Sequence, residues 1–168
     1  MKNYYILCLV LLFGAILTAC KKDQEAEPQP SLAGEWKLTA STRVDEQGTV
    51  SDRLSVDISS GAISALLEKQ QADCYVGSRL LLLPDSTFAT VAGSACTRNN
   101  TSFFTQSGTY RVLADGKSIV FTGKTTFSVK TFPDATIQEL TFEKLQLRYP
   151  FVSPVDKKKY TVTDTFLR

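Results

Sequence analysis

Apolar and polar residues alternate along most of the chain from Ser31 onwards. If the segment is extended, Trp36, Leu38 and Ala40 face one side of it and their polar neighbours face the other. This period of two is typical of a half-buried β-strand, so the chain is predicted to consist mainly of strands. The same pattern recurs in later segments whose apolar members are Leu54, Val56 and Ile58; Tyr110 and Val112; Ile119 and Phe121; Phe127 and Val129; Leu140 and Phe142; Leu145, Leu147 and Tyr149; and Tyr160 and Val162.

One strand candidate lacks the alternation. Leu80–Leu83 is a run of leucines, and leucine favours helix intrinsically, but so short a run between Gly77 and Pro84 cannot form a stable helix. After the turn at Pro84 the alternation resumes in Thr87–Val91, which predicts a β-hairpin. We interpret the leucine run as a strand that is buried on both faces, or as one whose outer face meets a helix.

Two further signals concern turns and the single predicted helix. Leu140 and Leu145 are an odd number of positions apart, so they would face opposite sides of one continuous strand. A turn or bulge near Glu143 must therefore reset the register. Apolar residues recur with helical spacing from Ala62 to Leu67, and Ser59 or Ser60 can cap that helix. Many short strands with one helix among the first of them predict an all-β, mainly antiparallel sandwich or barrel.

The first part of the chain has a different composition. Lys2 is followed by an apolar run from Tyr4 to Leu17, which is shorter than the roughly 20 apolar residues that span a bilayer as a helix. A basic start, an apolar core of this length and small residues after it define a secretory signal. The tetrapeptide Leu17-Thr18-Ala19-Cys20 resembles a bacterial lipoprotein lipobox. The resemblance implies a signal peptide over residues 1–19 and a diacylated Cys20 in a membrane; a retained transmembrane helix is the alternative.

The segment after the lipobox is polar. Residues 20–30 hold too few apolar side chains to offset the entropy of ordering them, so we expect a flexible tether. Residues 31–168 then have a length suited to one domain. Lys21 follows the lipobox cysteine, so the inner-membrane retention signal of enteric bacteria is missing. The charged segment Lys22–Glu25 resembles the export signals of Bacteroidota surface lipoproteins. We expect an outer-membrane protein held by its lipid anchor, with exposure on the cell surface as one arrangement.

Charge and residue types exclude several function classes. The chain has 19 Lys and Arg against 17 Asp and Glu, a net charge of +2, which is too even for a nucleic-acid-binding protein. It contains no histidine, so it lacks the commonest general base and metal ligand. A carboxylate pair such as Asp57 and Glu68, or an Asp/Tyr pair, would be needed instead, and nothing in the sequence brings such residues together. We predict no enzyme, no catalytic residue, no metal site and no cofactor.

Two cysteines remain in the predicted domain. Cys74 and Cys96 flank the predicted hairpin, so neighbouring strand ends could bring them within bonding distance. In an exported protein such a pair is expected to form a disulfide. Two free buried thiols are the alternative.

A family resemblance rests on residues near both ends of the domain. The strand that begins the domain reads Gly34-Glu35-Trp36, and an arginine, Arg168, follows the strand that ends it. This combination resembles the lipocalin-like lipoproteins of Bacteroidota. The resemblance implies an up-and-down barrel of about eight strands, in which the arginine packs across the tryptophan ring and Gly34, Trp36 and Arg168 close the barrel base. The predicted helix between early strands departs from the lipocalin plan and is closer to the fatty-acid-binding branch of the superfamily.

Two functions follow from a barrel of this kind. The first is a binding protein that holds a small, largely apolar ligand in its interior, and the second is a filled barrel that presents its loops to a protein partner in the envelope. Packed side chains fill small barrels routinely, so both are compatible with inward aromatic residues. The candidate ligand-binding residues are Trp36, Leu38, Phe88, Tyr110, Phe121, Phe127 and Phe142.

Overall fold

The computed structural model describes residues 28–59, 61–96, 107–124, 129–131, 134–153 and 156–168. The expected signal peptide, the lipidation site Cys20, most of the expected tether and Phe127 lie outside these residues. Within them the chain forms a helix and ten strands. The helix is α1 (Ile63–Tyr75), and the strands are β1 (Gly34–Asp45), β2 (Val50–Asp52), β3 (Arg79–Leu82), β4 (Thr87–Val91), β5 (Ser107–Val112), β6 (Ser118–Lys124), β7 (Val129–Thr131), β8 (Ala135–Leu140), β9 (Lys144–Val152) and β10 (Lys159–Leu167).

Eight of the described strands form a closed antiparallel barrel. Their order is β1-β3-β4-β5-β6-β8-β9-β10, and β10 pairs back with β1 from Lys37–Leu167 to Asp45–Tyr160. The two short strands are additions, because β2 pairs with the second half of β1 and β7 pairs with β6. The predicted all-β up-and-down barrel with one short helix between early strands is therefore confirmed. The architecture is consistent with a calycin-like fold.

The core lies inside the barrel and follows from the period-two pattern, except in β1, where a register shift between Leu38 and Ala40 leaves Ala40 exposed and buries Ser41 instead. In β1, Trp36 and Leu38 are buried, and in β3, Leu80 and Leu82 are buried while Leu81 between them is only half-buried. The leucine run therefore alternates like the other strands, although its composition hides the pattern. The other buried apolar side chains of this core are Phe88, Ile119, Phe121, Ala135, Leu145, Leu147 and Phe166.

The predicted register change between the last strands occurs at a turn. Strand β8 ends at Leu140, β9 begins at Lys144, and Leu140 pairs with Leu145 across the turn. The Thr141 hydroxyl accepts a hydrogen bond from the backbone N–H of Lys144 at 2.9 Å. Phe142 lies in this turn rather than in a strand and is 51% exposed.

The predicted strand over Leu54, Val56 and Ile58 was wrong. Strand β2 ends at Asp52, and the described residues between it and α1, 53–59 and 61–62, form no helix or strand. The Asp52 and Asp57 carboxylates accept hydrogen bonds, each 2.8 Å long, from the backbone N–H groups of Leu54 and Ser59. Such side-chain bonds to the backbone compete with strand pairing, which explains why alternation alone misleads here.

The helix exists, but its predicted cap and buried face were wrong. Ala62 occupies the N-cap position and makes no side-chain cap bond, and Ser60 lies outside the described residues. The residues expected to face the core are exposed: Ile63 is 76% exposed, Leu66 45% and Leu67 46%. Instead the last turn is buried through Ala72 and Cys74, and the middle of α1 contacts the barrel through the ion pair of Glu68 with Arg43 of β1 at 3.1 Å.

Candidate functional site

The barrel base, defined as Ser31–Gly34, Trp36, Phe142, Glu143 and Arg168, is organised around the tryptophan. Trp36 is fully buried, and its Nε1 donates a hydrogen bond to the carbonyl of Leu32 at 2.8 Å. The Arg168 guanidinium lies over the ring, 4.4 Å from the centroid. This distance is within the range of a cation–π interaction.

Arg168 connects separate parts of the base through hydrogen bonds. Its Nη2 donates to the carbonyls of Ser31 and Ala33 at 2.7 and 2.6 Å, and its Nη1 donates to the carbonyl of Phe142 at 3.2 Å. Gly34 makes room for it, because a Cβ there would lie 2.9 Å from the arginine Nε. These contacts connect the start of β1, the turn after β8 and the end of β10 around Trp36.

Above the base, the barrel interior holds a partly open cavity of about 120 Å³. Most of its wall is apolar, which favours an apolar occupant. The apolar lining residues are Leu38, Leu80, Phe88, Val91, Phe121, Ala135, Leu147 and Phe166, and the remaining lining residues are Tyr75, Ser78, Arg79, Thr90, Tyr149 and Asp164.

A buried polar cluster, defined as Ser41, Arg53, Tyr149 and Asp164, meets the cavity on one side. The Asp164 carboxylate accepts hydrogen bonds from the Ser41 hydroxyl at 2.5 Å and from the Tyr149 hydroxyl at 2.7 Å. Arg53 Nη1 lies 3.6 Å from Asp164 Oδ1 and donates to the Tyr149 hydroxyl at 3.1 Å. Asp164 is 6% exposed and Arg53 is 8% exposed. A buried charge pair is tolerated only when hydrogen bonds satisfy both partners, as they do here.

Aromatic rings hold the arginine of this cluster in place. The Arg53 guanidinium lies 4.4 Å from the centroid of the Tyr75 ring in α1 and 4.9 Å from that of Phe151 in β9. Burial alone would lower the pKa of Arg53, but the surrounding phenol and carboxylate oxygens outweigh burial and raise it. Burial and the nearby Asp164 raise the pKa of Tyr149 well above its ordinary value. At neutral pH the arginine is therefore charged and the phenol protonated.

The structure places the candidate ligand-binding residues in different positions. Leu38, Phe88 and Phe121 line the cavity. Trp36 belongs to the core but lies at the base, outside the cavity lining. Tyr110 packs against the core, and its hydroxyl donates to the carbonyl of Leu83 at 2.9 Å. Phe142 is in the exposed turn of the base, and Phe127 lies outside the described residues.

Sequence reasoning missed the polar half of the site. Tyr149 and Asp164 lie at inward positions of β9 and β10. The sequence indicates this for Asp164, because it alternates in step with the apolar residues Val162 and Phe166 and so shares their face of the strand. A charged residue on the apolar face of a strand indicates a buried partner. Arg53 carries no such signal, because it follows the end of a short strand.

A disulfide joins Cys74 near the end of α1 to Cys96 after β4, as expected from the sequence. The same region is packed closely, since the Gly93 N–H donates to the Cys74 carbonyl at 2.8 Å and a side chain at Gly93 would collide with the Val76 carbonyl. These contacts attach the end of α1 to the barrel beside Tyr75, which lines the cavity.

Metal binding and membrane crossing are two further properties on which the described part of the chain bears. There, no three His, Cys, Asp or Glu side chains are grouped so that they could hold a metal ion. None of the helices found among the described residues has the length and apolar character needed to cross a bilayer. Comparison of the sequence with protein-family models finds no match, and comparison with curated proteins finds none either.

Proposed function

We propose that this protein is a lipid-anchored, lipocalin-like barrel that binds a small, largely apolar molecule in its interior and catalyses no reaction. The observation that carries the proposal is the cavity of about 120 Å³ between the barrel base and α1. A small closed β-barrel is a type of fold that can bind ligands. The analogy of fold alone would be weak, so the proposal depends on the cavity itself.

The size of the cavity limits the ligand. Pockets for drug-sized molecules enclose roughly 300–1,000 Å³, whereas an engineered apolar cavity of about 150 Å³ binds benzene. The volume of about 120 Å³ therefore fits a molecule, or part of a molecule, of about one six-membered ring. Burial of apolar surface provides the driving force, at roughly 25 cal/mol per Å² before the cost of ordering.

The anchor in this proposal is the diacylated Cys20, at the start of the tether of residues 20–30. Two acyl chains give stable membrane attachment where one chain does not. The outer membrane is the proposed location, on the evidence of Lys21 and the charged residues after it.

A titration with toluene tests the proposal on the full lipidated protein. Because toluene also partitions into detergent, the variant Ala135→Leu in the same detergent gives the background: Ala135 is buried in the cavity wall, and a leucine there would occupy much of the space. We expect saturable heat of binding for the wild type and none for Ala135→Leu. Thr136→Val, at the exposed neighbouring position, is the matched control and should bind like the wild type. Equal signals from wild type and Ala135→Leu would reject an occupied interior.

The alternative function, a filled barrel that binds an envelope protein, is favoured by one observation. Ile63, Leu66 and Leu67 expose apolar side chains on α1, and grouped apolar residues on a surface mark interaction sites. Photo-crosslinking from Leu66 in intact cells, with Thr136 as the control position, tests this function. A discrete adduct from Leu66 only, combined with a negative toluene titration, would favour it over ligand binding.

A further inference from the structure

We infer that the cavity accepts uncharged ligands that carry a hydrogen-bond donor, such as a hydroxyl group, as well as apolar ones, and that it excludes carboxylates. This inference rests on the proposed function and adds the chemical class of the ligand. It comes from Asp164, a carboxylate that lines the cavity although only 6% of the residue is exposed.

The hydrogen bonds of the polar cluster leave acceptors, rather than donors, for a ligand. An ionised carboxylate offers about four acceptor positions. Asp164 uses three of them, for the Ser41 hydroxyl, the Tyr149 hydroxyl and the ion pair with Arg53. Acceptor capacity therefore remains on Asp164. The single proton of the Tyr149 hydroxyl is already donated to Asp164, so this group cannot also donate to a ligand.

The other polar groups of the cavity wall do not change the conclusion that the polar cluster suits ligands that donate a hydrogen bond. Hydroxyl groups such as those of Ser78 and Thr90 can both donate and accept, so they do not discriminate between ligands. Arg79 lines the cavity as well, but its Nη1 forms an ion pair with Glu35 at 2.8 Å on the exposed side of the barrel. Its charge is therefore directed away from the interior.

The charge balance of the cluster disfavours ions of either sign. Arg53 and Asp164 compensate each other, so neither provides a net charge to offset the loss of hydration of a ligand ion. A ligand carboxylate would also lie against the like charge of Asp164. A neutral hydroxyl loses less hydration and can donate to Asp164, so it is the group that fits this wall.

Four ligands with the same ring test the inference: toluene, benzyl alcohol, benzylamine and benzoate. Each is titrated into the full-length protein, with Ala135→Leu in the same detergent as background. We expect benzyl alcohol to bind within about tenfold of toluene, because its hydroxyl finds a partner, and both ions to bind at least about a hundredfold more weakly than benzyl alcohol.

The outcomes separate the inference from the proposed function. If toluene saturates the protein but benzyl alcohol binds more than about a hundredfold more weakly, or if benzoate binds as well as benzyl alcohol, the inference is wrong while the proposed function stands. If none of the four ligands shows saturable binding above the background, both fail.

Two variants examine the role of the cluster. Asp164→Asn leaves the charge of Arg53 uncompensated, so benzoate should bind at least about tenfold more tightly than to the wild type. Tyr149→Phe is the milder change: it frees an acceptor position on Asp164, so the affinity for benzyl alcohol relative to toluene should not fall. A tenfold fall of that ratio in Tyr149→Phe would show that Tyr149, not Asp164, binds the hydroxyl, and would overturn the inference even if Asp164→Asn does not fold.

Discussion

Arg168 occupies the space that a side chain at Gly34 would fill, because a Cβ built on Gly34 would lie 2.9 Å from the arginine Nε. The absence of a side chain at Gly34 thus allows the Arg168 guanidinium to cover the Trp36 ring. We predict that Gly34→Ala displaces the guanidinium and lowers the free energy of unfolding by about 1–3 kcal/mol. Urea unfolding measures this change.

A double-mutant cycle tests whether the two residues act together. If Gly34→Ala acts through Arg168, its cost should be much smaller in an Arg168→Met background than in the wild type. Additive losses would show that the alanine instead strains the backbone of Gly34, whose φ is 155°.

The disulfide closes a loop with a sequence separation of 22 residues. In the chain-entropy description, a loop of this size contributes about 3 kcal/mol to the free energy of unfolding. The double variant Cys74→Ala/Cys96→Ala should therefore lose about that amount, measured by urea unfolding under non-reducing conditions. Mass spectrometry of non-reduced peptides provides the covalent control. Free thiols that react with an alkylating reagent in the native protein would contradict the assignment.

An exposed pair predicts a characteristic dependence of stability on pH. The Tyr160 hydroxyl donates to the Asp156 carboxylate at 2.5 Å. This hydrogen bond lowers the pKa of Asp156 from 3.8 to about 2 and raises the pKa of Tyr160 from 10.0 to about 12. The stabilisation from Asp156 is present above its unfolded pKa and is lost as pH falls towards 2, and that from Tyr160 is present below 10.0 and is lost as pH rises towards 12.

The variant Tyr160→Phe measures the pair. The difference in unfolding free energy between wild type and variant should be constant in the middle of the pH range and should shrink at both ends. Asp156→Asn, which keeps the tyrosine, is the control. In this variant the part of the unfolding free energy that the wild type loses through Asp156 at acidic pH should no longer change with pH. A difference that does not change with pH would mean that packing of the ring, rather than the hydrogen bond, stabilises this turn.

The proposed lipid anchor depends on Cys20, which has the only thiol at the predicted signal cleavage point. We expect Cys20→Ser to give an uncleaved or soluble protein, because serine cannot carry the thioether-linked lipid. Detergent-phase partitioning and the apparent mass of the product measure this. Normal processing and unchanged partitioning of the variant would remove the anchor from the proposed function.

Period-two patterning was sufficient to predict a mainly antiparallel sandwich or barrel, because strands with one face buried must alternate. The choice of an up-and-down barrel depended on the resemblance of Gly34, Trp36 and Arg168 to the lipocalin-like pattern. Trp36, Leu38, Phe121 and Val162 are all buried where the pattern places them. The pattern failed where another interaction decides the structure. Leu54–Ile58 alternates but does not pair, since neighbouring aspartates bond the backbone.

The site was less predictable than the fold, because it depends on contacts between distant segments. Nothing local relates Arg53 to Asp164 or to the aromatic rings that enclose the guanidinium. In α1, the apolar residues from Ile63 to Leu67 indicate a buried face, yet the helix meets the barrel through Glu68 and its last turn. Periodicity describes which residues share a face and does not say which face meets the rest of the molecule.

The pairing of β1 with β10 has a consequence for how the protein folds. Ser41 and Asp164, whose side chains bond inside the barrel, are 123 residues apart in sequence, so closure requires contacts of very high contact order, which slow folding. Until β10 arrives, β1 and β9 both present open edges that can pair with other chains. A nascent chain is thus prone to aggregation until its final strand has been made, and we expect refolding yields to fall steeply with protein concentration.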